Sequence, residues 1–202
     1  MPTWISRWRL AVLLSLLLTA MTLAILWSHG GSVEGYRVAI RATARTSLLL
    51  FLLAYTASAL AQLYPGTFAR RLLRERRALG LSFAASHALH LYAIIVFWNT
   101  DPVLFGTQSN TPSQSFGSIA YLFIALMALT SNERAVRWLG PKRWSRLHAI
   151  GGLYIWGTFV VSFAKRAPDK PLYWAAVMLL LAVMVLRLWA SRLKRRPAAA
   201  AA

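Results

Sequence analysis

Six long apolar stretches, parted by short loops rich in arginine, constrain this chain more than any other feature. Each is long enough to cross about 30 Å of hydrocarbon at about 1.5 Å of rise per helical residue. They cover residues 10–27, 46–64, 79–98, 115–131, 147–164 and 172–190. Hydrocarbon offers backbone amides no water, so such stretches must close their hydrogen bonds internally, as helices. The expected fold class is all-α: a polytopic membrane protein, a six-transmembrane-helix bundle surrounded by membrane lipid. Residues 1–196 read as a single domain, followed by a low-complexity tail at 197–202. The first stretch lies behind Arg7 and Arg9, as a signal peptide would. It is long for such a segment, and SHGGSVEG offers no clear small-x-small cleavage site, so it reads as a retained helix.

The charge pattern orients the bundle. Lys and Arg number 23 against 5 Asp and Glu, for a net charge of +18. A nucleic-acid partner is not implied, because the charge sits in short connections between spans, where the positive-inside bias accounts for it. Seventeen basic residues fall on one side: Arg7 and Arg9, the run from Arg70 to Arg77, the run from Arg134 to Arg146, and the tail from Arg187 to Arg196. The other side holds six, namely Arg37, Arg41, Arg45, Lys165, Arg166 and Lys170. Both termini are therefore expected in the cytoplasm. Trp4, Trp8, Trp27, Trp98, Trp144, Trp174 and Trp189 sit near span ends, as interfacial aromatics do. The connection NTDPVLFGTQSNTPSQS, polar with two prolines, reads as a loop. No glycine-rich nucleotide fingerprint, P-loop or zinc spacing occurs, so a flavin or quinone donor, or any substrate needing a soluble site, must come with a separate protein.

Three of the four histidines lie in or at the mouth of apolar spans, where an ionisable side chain marks a functional site by default. With no cysteine in the chain, imidazole is almost the only strong metal ligand present. His87 and His90 stand three apart in the third span and can face one side of it. Gly80 and Ala84 continue that face below His87. His148 opens the fifth span, with Gly151 and Gly152 one turn later. Small residues beside a histidine leave room for a flat macrocycle, so haem b between the third and fifth spans is one reading. Close helix packing with histidines as interhelical glue is the other. His29, in SHGG, sits among turn formers and reads as a loop or cap residue. Arg37, Arg41 and Arg45, spaced by four, share one helix face. They are either interfacial residues that snorkel or partners for haem propionates.

The stretch RRALGLSFAASHALHLY, residues 76–92, resembles the third helix of the ferric-reductase-like transmembrane family: an arginine pair, LGL and a closing leucine-histidine. LALTSNERAVRWLGPKRWSRLH resembles that family's connection from the fourth helix to the fifth, and SHGG and ARTSLLLFLLA are similar as well. The resemblance implies an electron-transfer subunit in a bacterial inner membrane, holding one haem b on His90 and His148 as iron ligands. Electrons would enter from a cytoplasmic flavoprotein or quinol and leave to an acceptor on the outer side. Arg41, Arg45, Gly151 and Gly152 complete the expected haem surroundings. The chain departs from the family at one point: a second histidine expected farther along the fifth helix is absent, and counting thirteen on from His148 reaches Val161. Depth along the helices favours His87 as the metal ligand instead of His90, and Met178 or Met21 are then candidates to complete an outer site. The missing histidine also motivates a different class of function, a membrane anchor or assembly subunit that has lost its redox role.

Overall fold

The protein is described here by a computed structural model covering residues 3–199, with side chains from Trp8 to Leu193. The end of the low-complexity tail and the side chain of Trp4 lie outside the described residues. Eight helices follow in order: α1 (Thr3–Ser28), α2 (Val33–Leu63), α3 (Thr67–Thr100), α4 (Pro102–Gln108), α5 (Thr111–Leu129), α6 (Glu133–Leu139), α7 (Pro141–Ala164) and α8 (Leu172–Ala199). Among the described residues there is no strand. Six of the helices are long and apolar enough to cross a membrane, which bears out the six-span all-α reading. The first stretch packs on α2 and α3 as a member of the bundle.

The connection expected to be a loop is largely helical. Asp101 caps α4, accepting from the Leu104 amide at 2.9 Å, and Pro102 fills its first turn. Asn110 caps α5 in the same way through the Ser113 amide at 3.1 Å, with Pro112 in its first turn. Proline lacks an amide hydrogen that the first turn would leave unpaired anyway, so both prolines start helices here. The helices also outrun the apolar windows. Ser32 caps α2 and Glu34 stands in its first turn, so α2 begins well before its hydrophobic part.

The spine of the bundle is the antiparallel pair α2 and α3, with paired positions repeating down its length. Tyr36 meets Tyr92, Thr43 meets His90, Ser47 meets Ser86, Phe51 meets Phe83, and Ser58 meets Arg76. α1 lies across this pair, α8 packs on α2 and α7, and α5 packs on α7 and α3. The core gathers around Phe51, whose ring centroid lies 5.6 Å from Phe83 and 5.4 Å from Phe159. Leucines and valines of α1, α5 and α8 stay exposed on the outside of the bundle, as a lipid-facing surface requires.

Gly151 and Gly152 are where side chains of neighbouring helices press closest on the α7 backbone. A Cβ at Gly152 would stand 3.0 Å from the Tyr55 ring, and one at Gly151 would stand 2.6 Å from the Met127 sulfur. Both glycines thus let α7 settle against α2 and α5. Gly157, on the same helix, has nothing within 4 Å.

Two tests follow from this arrangement. A reporter that works only outside the cytoplasm, fused to the C-terminus, is expected to be silent given the charge split; a strong signal would invert the orientation. Gly152→Ala should cost about 1–3 kcal/mol, because the stacked Tyr55 ring cannot yield as a flexible chain would. Unfolding in detergent measures this, with Gly157→Ala expected to be close to neutral.

Candidate functional site

His90 is held by α2. Its Nδ1 lies 2.9 Å from the Thr43 hydroxyl oxygen, and that hydroxyl lies 2.7 Å from the Ala39 carbonyl one turn back. Ser86, one turn before His90, hydrogen-bonds the Ser47 hydroxyl at 2.8 Å and the Thr43 carbonyl at 3.3 Å. Thr43, Ser47 and Ser86 are fully buried. These bonds tie α2 to α3 at the depth of the histidine.

His87 stands one turn away, its ring centroid 5.6 Å from that of His90. Its surroundings are aromatic: Phe83 at 4.7 Å, Tyr121 of α5 at 5.6 Å and Phe159 of α7 at 5.7 Å. The His87 Nδ1 is buried without a hydrogen-bond partner. Such a group is costly in a dry interior and marks a place where structure alone does not explain the residue.

His148 belongs to a separate place. Its Nε2 lies 3.2 Å from the Thr130 hydroxyl at the end of α5, and its ring packs at a tilt against Trp144, centroids 4.3 Å apart. The Trp144 indole donates to the Thr130 carbonyl at 2.9 Å. Depth can be counted on two helices. On α7, His148 and the Phe159 that touches His87 are eleven residues apart, about 16 Å of rise. On α5, Thr130 and the Tyr121 that touches His87 are nine residues apart, about 14 Å. The structure thus brings His87 and His90 together and keeps His148 at another depth. Two axial nitrogens of one iron flank a flat ring at a several-fold smaller separation.

The remaining expected residues divide. Val161 is 64% exposed on the outside of α7, so the position reached by counting thirteen does not face the histidines; Phe159 does. Met178 is exposed at 63% and also faces outward, whereas Met21 packs against the core from α1. Arg37 and Arg41 converge on Glu34 at 2.5 and 2.8 Å. Arg45 instead donates to the Tyr173 hydroxyl of α8 at 3.0 Å. His29 caps the end of α1, with Nδ1 2.9 Å from the Ile25 carbonyl, in keeping with a turn residue.

Sequence reasoning missed Thr43, Thr130 and Glu34. A signal for Thr43 existed. Thr43 and Ser47, and Ser86 and His90, are polar pairs four apart within or beside apolar stretches, and so mark facing stripes. Glu34 stands three and seven residues before Arg37 and Arg41, which is also readable.

The donor set fits haem iron better than a closed metal site. Among the described residues no group of three His, Asp, Glu or Cys converges. What exists is imidazole in aromatic surroundings, with one ring nitrogen of His87 buried and unpartnered. That is a setting for axial ligation of a flat macrocycle.

Comparison with known proteins identifies the family. Residues 6–160 match the family described as ferric reductase like transmembrane component. A protein-methionine-sulfoxide reductase heme-binding subunit, MsrQ, of Azospira oryzae is 38% identical over 96 residues, covering 42% of this chain and 41% of that protein. The protein of the same name from Salmonella paratyphi B is 31% identical over 180 residues, 80% of this chain and 85% of its own length. No solved structure matches. With that match spanning most of its spans, this chain belongs to the ferric reductase like transmembrane family.

Proposed function

We propose that the chain is a membrane electron-transfer subunit that holds haem b. It accepts electrons from a cytoplasmic flavoprotein or quinol and passes them to an acceptor on the outer side of a bacterial inner membrane. One observation carries the reading: part-buried imidazoles at two depths of a bundle of this family, in a chain without cysteine. The relatives' names, heme-binding subunits of a methionine-sulfoxide reductase, support it. The word subunit also supports a separate redox protein as partner.

Bound haem supplies a one-electron couple. The chain's own residues do the rest. His90 is the first-choice iron ligand at the deeper level, with His87 as the alternative on the same helix turn. His148 offers an imidazole nearer the arginine-rich end. Phe83, Phe159 and Tyr121 surround the His87 ring and limit water there. Gly151 and Gly152, expected among the haem surroundings, are covered by Met127 and Tyr55 and serve the helix contact instead. Arg45 and Arg41 are the propionate partners, Arg45 the readier because Arg41 already serves Glu34. No pair of carboxylates lies in the spans, so acid–base catalysis is not assigned to this chain.

The anchor or assembly reading rests on Phe159, an apolar residue where α7 faces His87. A reduced-minus-oxidised spectrum of the purified protein separates the two. A low-spin b-type spectrum is expected, and a colourless protein would establish the anchor instead. His90→Ala should remove most of the low-spin signal, whereas His29→Ala should leave it intact. Because the histidines lie at two depths, His90→Ala and His148→Ala should give different spectra. Identical loss in both would mean one iron uses both and the helices rearrange around it.

A further inference from the structure

The three histidines of the spans differ in which ring nitrogen is held. His148 is bonded through Nε2, to Thr130. His87 has an unpartnered Nδ1. His90 alone is bonded through Nδ1 to a hydroxyl, that of Thr43. A hydroxyl has one hydrogen and two lone pairs. The Thr43 oxygen sits 2.7 Å from the Ala39 carbonyl and 3.2 Å from that of Ile40, and both of these can only accept. Its hydrogen is therefore committed to the helix backbone, and toward His90 the oxygen presents a lone pair. The imidazole must then carry its proton on Nδ1, which leaves the Nε2 lone pair bare. That tautomer is the one a metal takes, and metal-bound histidines almost always donate the other N–H in this way.

The arrangement is rigid before anything binds. Thr43 is fully buried and its side chain is pinned to its own helix. Ser86 accepts from Ser47 and donates to the Thr43 carbonyl, which fixes α3 against α2 one turn from His90. We propose that Thr43 is the positioning residue for His90: it sets the imidazole in the Nδ1–H tautomer and, once iron is bound, raises its donor strength. This rests on the reading of the chain as a haem protein with His90 as ligand.

The test uses the full chain, purified from membranes with its haem. Haem content and midpoint potential are measured for Thr43→Val, Thr43→Ser, Ser86→Ala and His90→Ala. Thr43→Val keeps the shape and removes the acceptor. Its haem affinity should fall about 10–100-fold. Its potential should rise, because an imidazole without a partner for Nδ1–H donates less to ferric iron. Thr43→Ser should restore wild-type behaviour. Ser86→Ala, which loosens the same seam without touching the imidazole, should leave the potential unchanged. Should Thr43→Val not accumulate, Thr43→Ala carries the same expectation. An unchanged potential in the Thr43 variant, with haem lost in His90→Ala, overturns the role of Thr43 alone. An equal rise in Ser86→Ala also overturns it, since packing would then be the cause. A wild-type spectrum in His90→Ala overturns the underlying assignment of His90 instead.

Discussion

Polar groups inside hydrocarbon have no water to turn to, and an unsatisfied one costs several kcal/mol. The seam between α2 and α3 is organised by that requirement. Thr43 and Thr56 return their hydroxyls to carbonyls of their own helix, as Ser82 does on α3. Ser47 and Ser86 satisfy each other across the seam. Interhelical bonds of this kind contribute about 0.6 kcal/mol on average and up to about 1.7. Their larger effect is on register, because a slip of α3 along α2 would strand several buried hydroxyls at once. Register then decides where His90 stands, and everything at the deeper level follows from it.

Hydropathy made the six spans legible because length and apolar content alone decide them. The ends of helices were harder. Asp, Asn and Pro are turn formers, but Asp101, Asn110 and their following prolines serve as N-caps and first-turn residues. The same residue types favour both outcomes, and only the chain beyond them decides. At the site, the histidines were recognisable by type, whereas their partners were not. Thr43 is 47 residues from His90, so its role depends on the antiparallel register of two helices. The count to Val161 failed for a geometric reason. Thirteen residues at about 100° each leave it roughly 140° around the helix from His148. Eleven residues return to nearly the same face, which is why Phe159 is buried beside His87 and Val161 is exposed.

The arginines at the sparsely charged end obey a similar logic. Three guanidiniums on one face would repel each other near lipid. Glu34, one of only five acids in the chain, takes two of them. Arg45 is left to a neutral partner, the hydroxyl of Tyr173, with its guanidinium carbon 5.6 Å from that ring's centroid. A phenol hydroxyl is a weaker partner for a cation than a carboxylate. Arg45 is therefore the member of the trio that gains most from an anionic group arriving at this end of the bundle.

The two depths of imidazole are not equivalent as places for iron. At His148 the Nε2 hydrogen bond to Thr130 occupies the nitrogen that usually binds metal, and the ring packs against Trp144. Ligation there through Nε2 requires giving up that bond, a cost of about 1 kcal/mol, and some of that contact besides. At His90 the hydrogen bond lies on the opposite nitrogen and survives ligation. His87, on the same turn, has no such support, and its orphaned Nδ1 would stay unpaired after Nε2 bound iron. Depth counted from the chain favoured His87 because it brings a third-span histidine closer to His148. The hydrogen bonds favour His90, since they lower the cost of ligation at the residue itself. The level of His87 itself lies about 14–16 Å from that of His148 on α5 and α7, so choosing His87 does not close the gap. The depth argument loses its force, and the proposal of His90 as ligand rests on its preorganised imidazole.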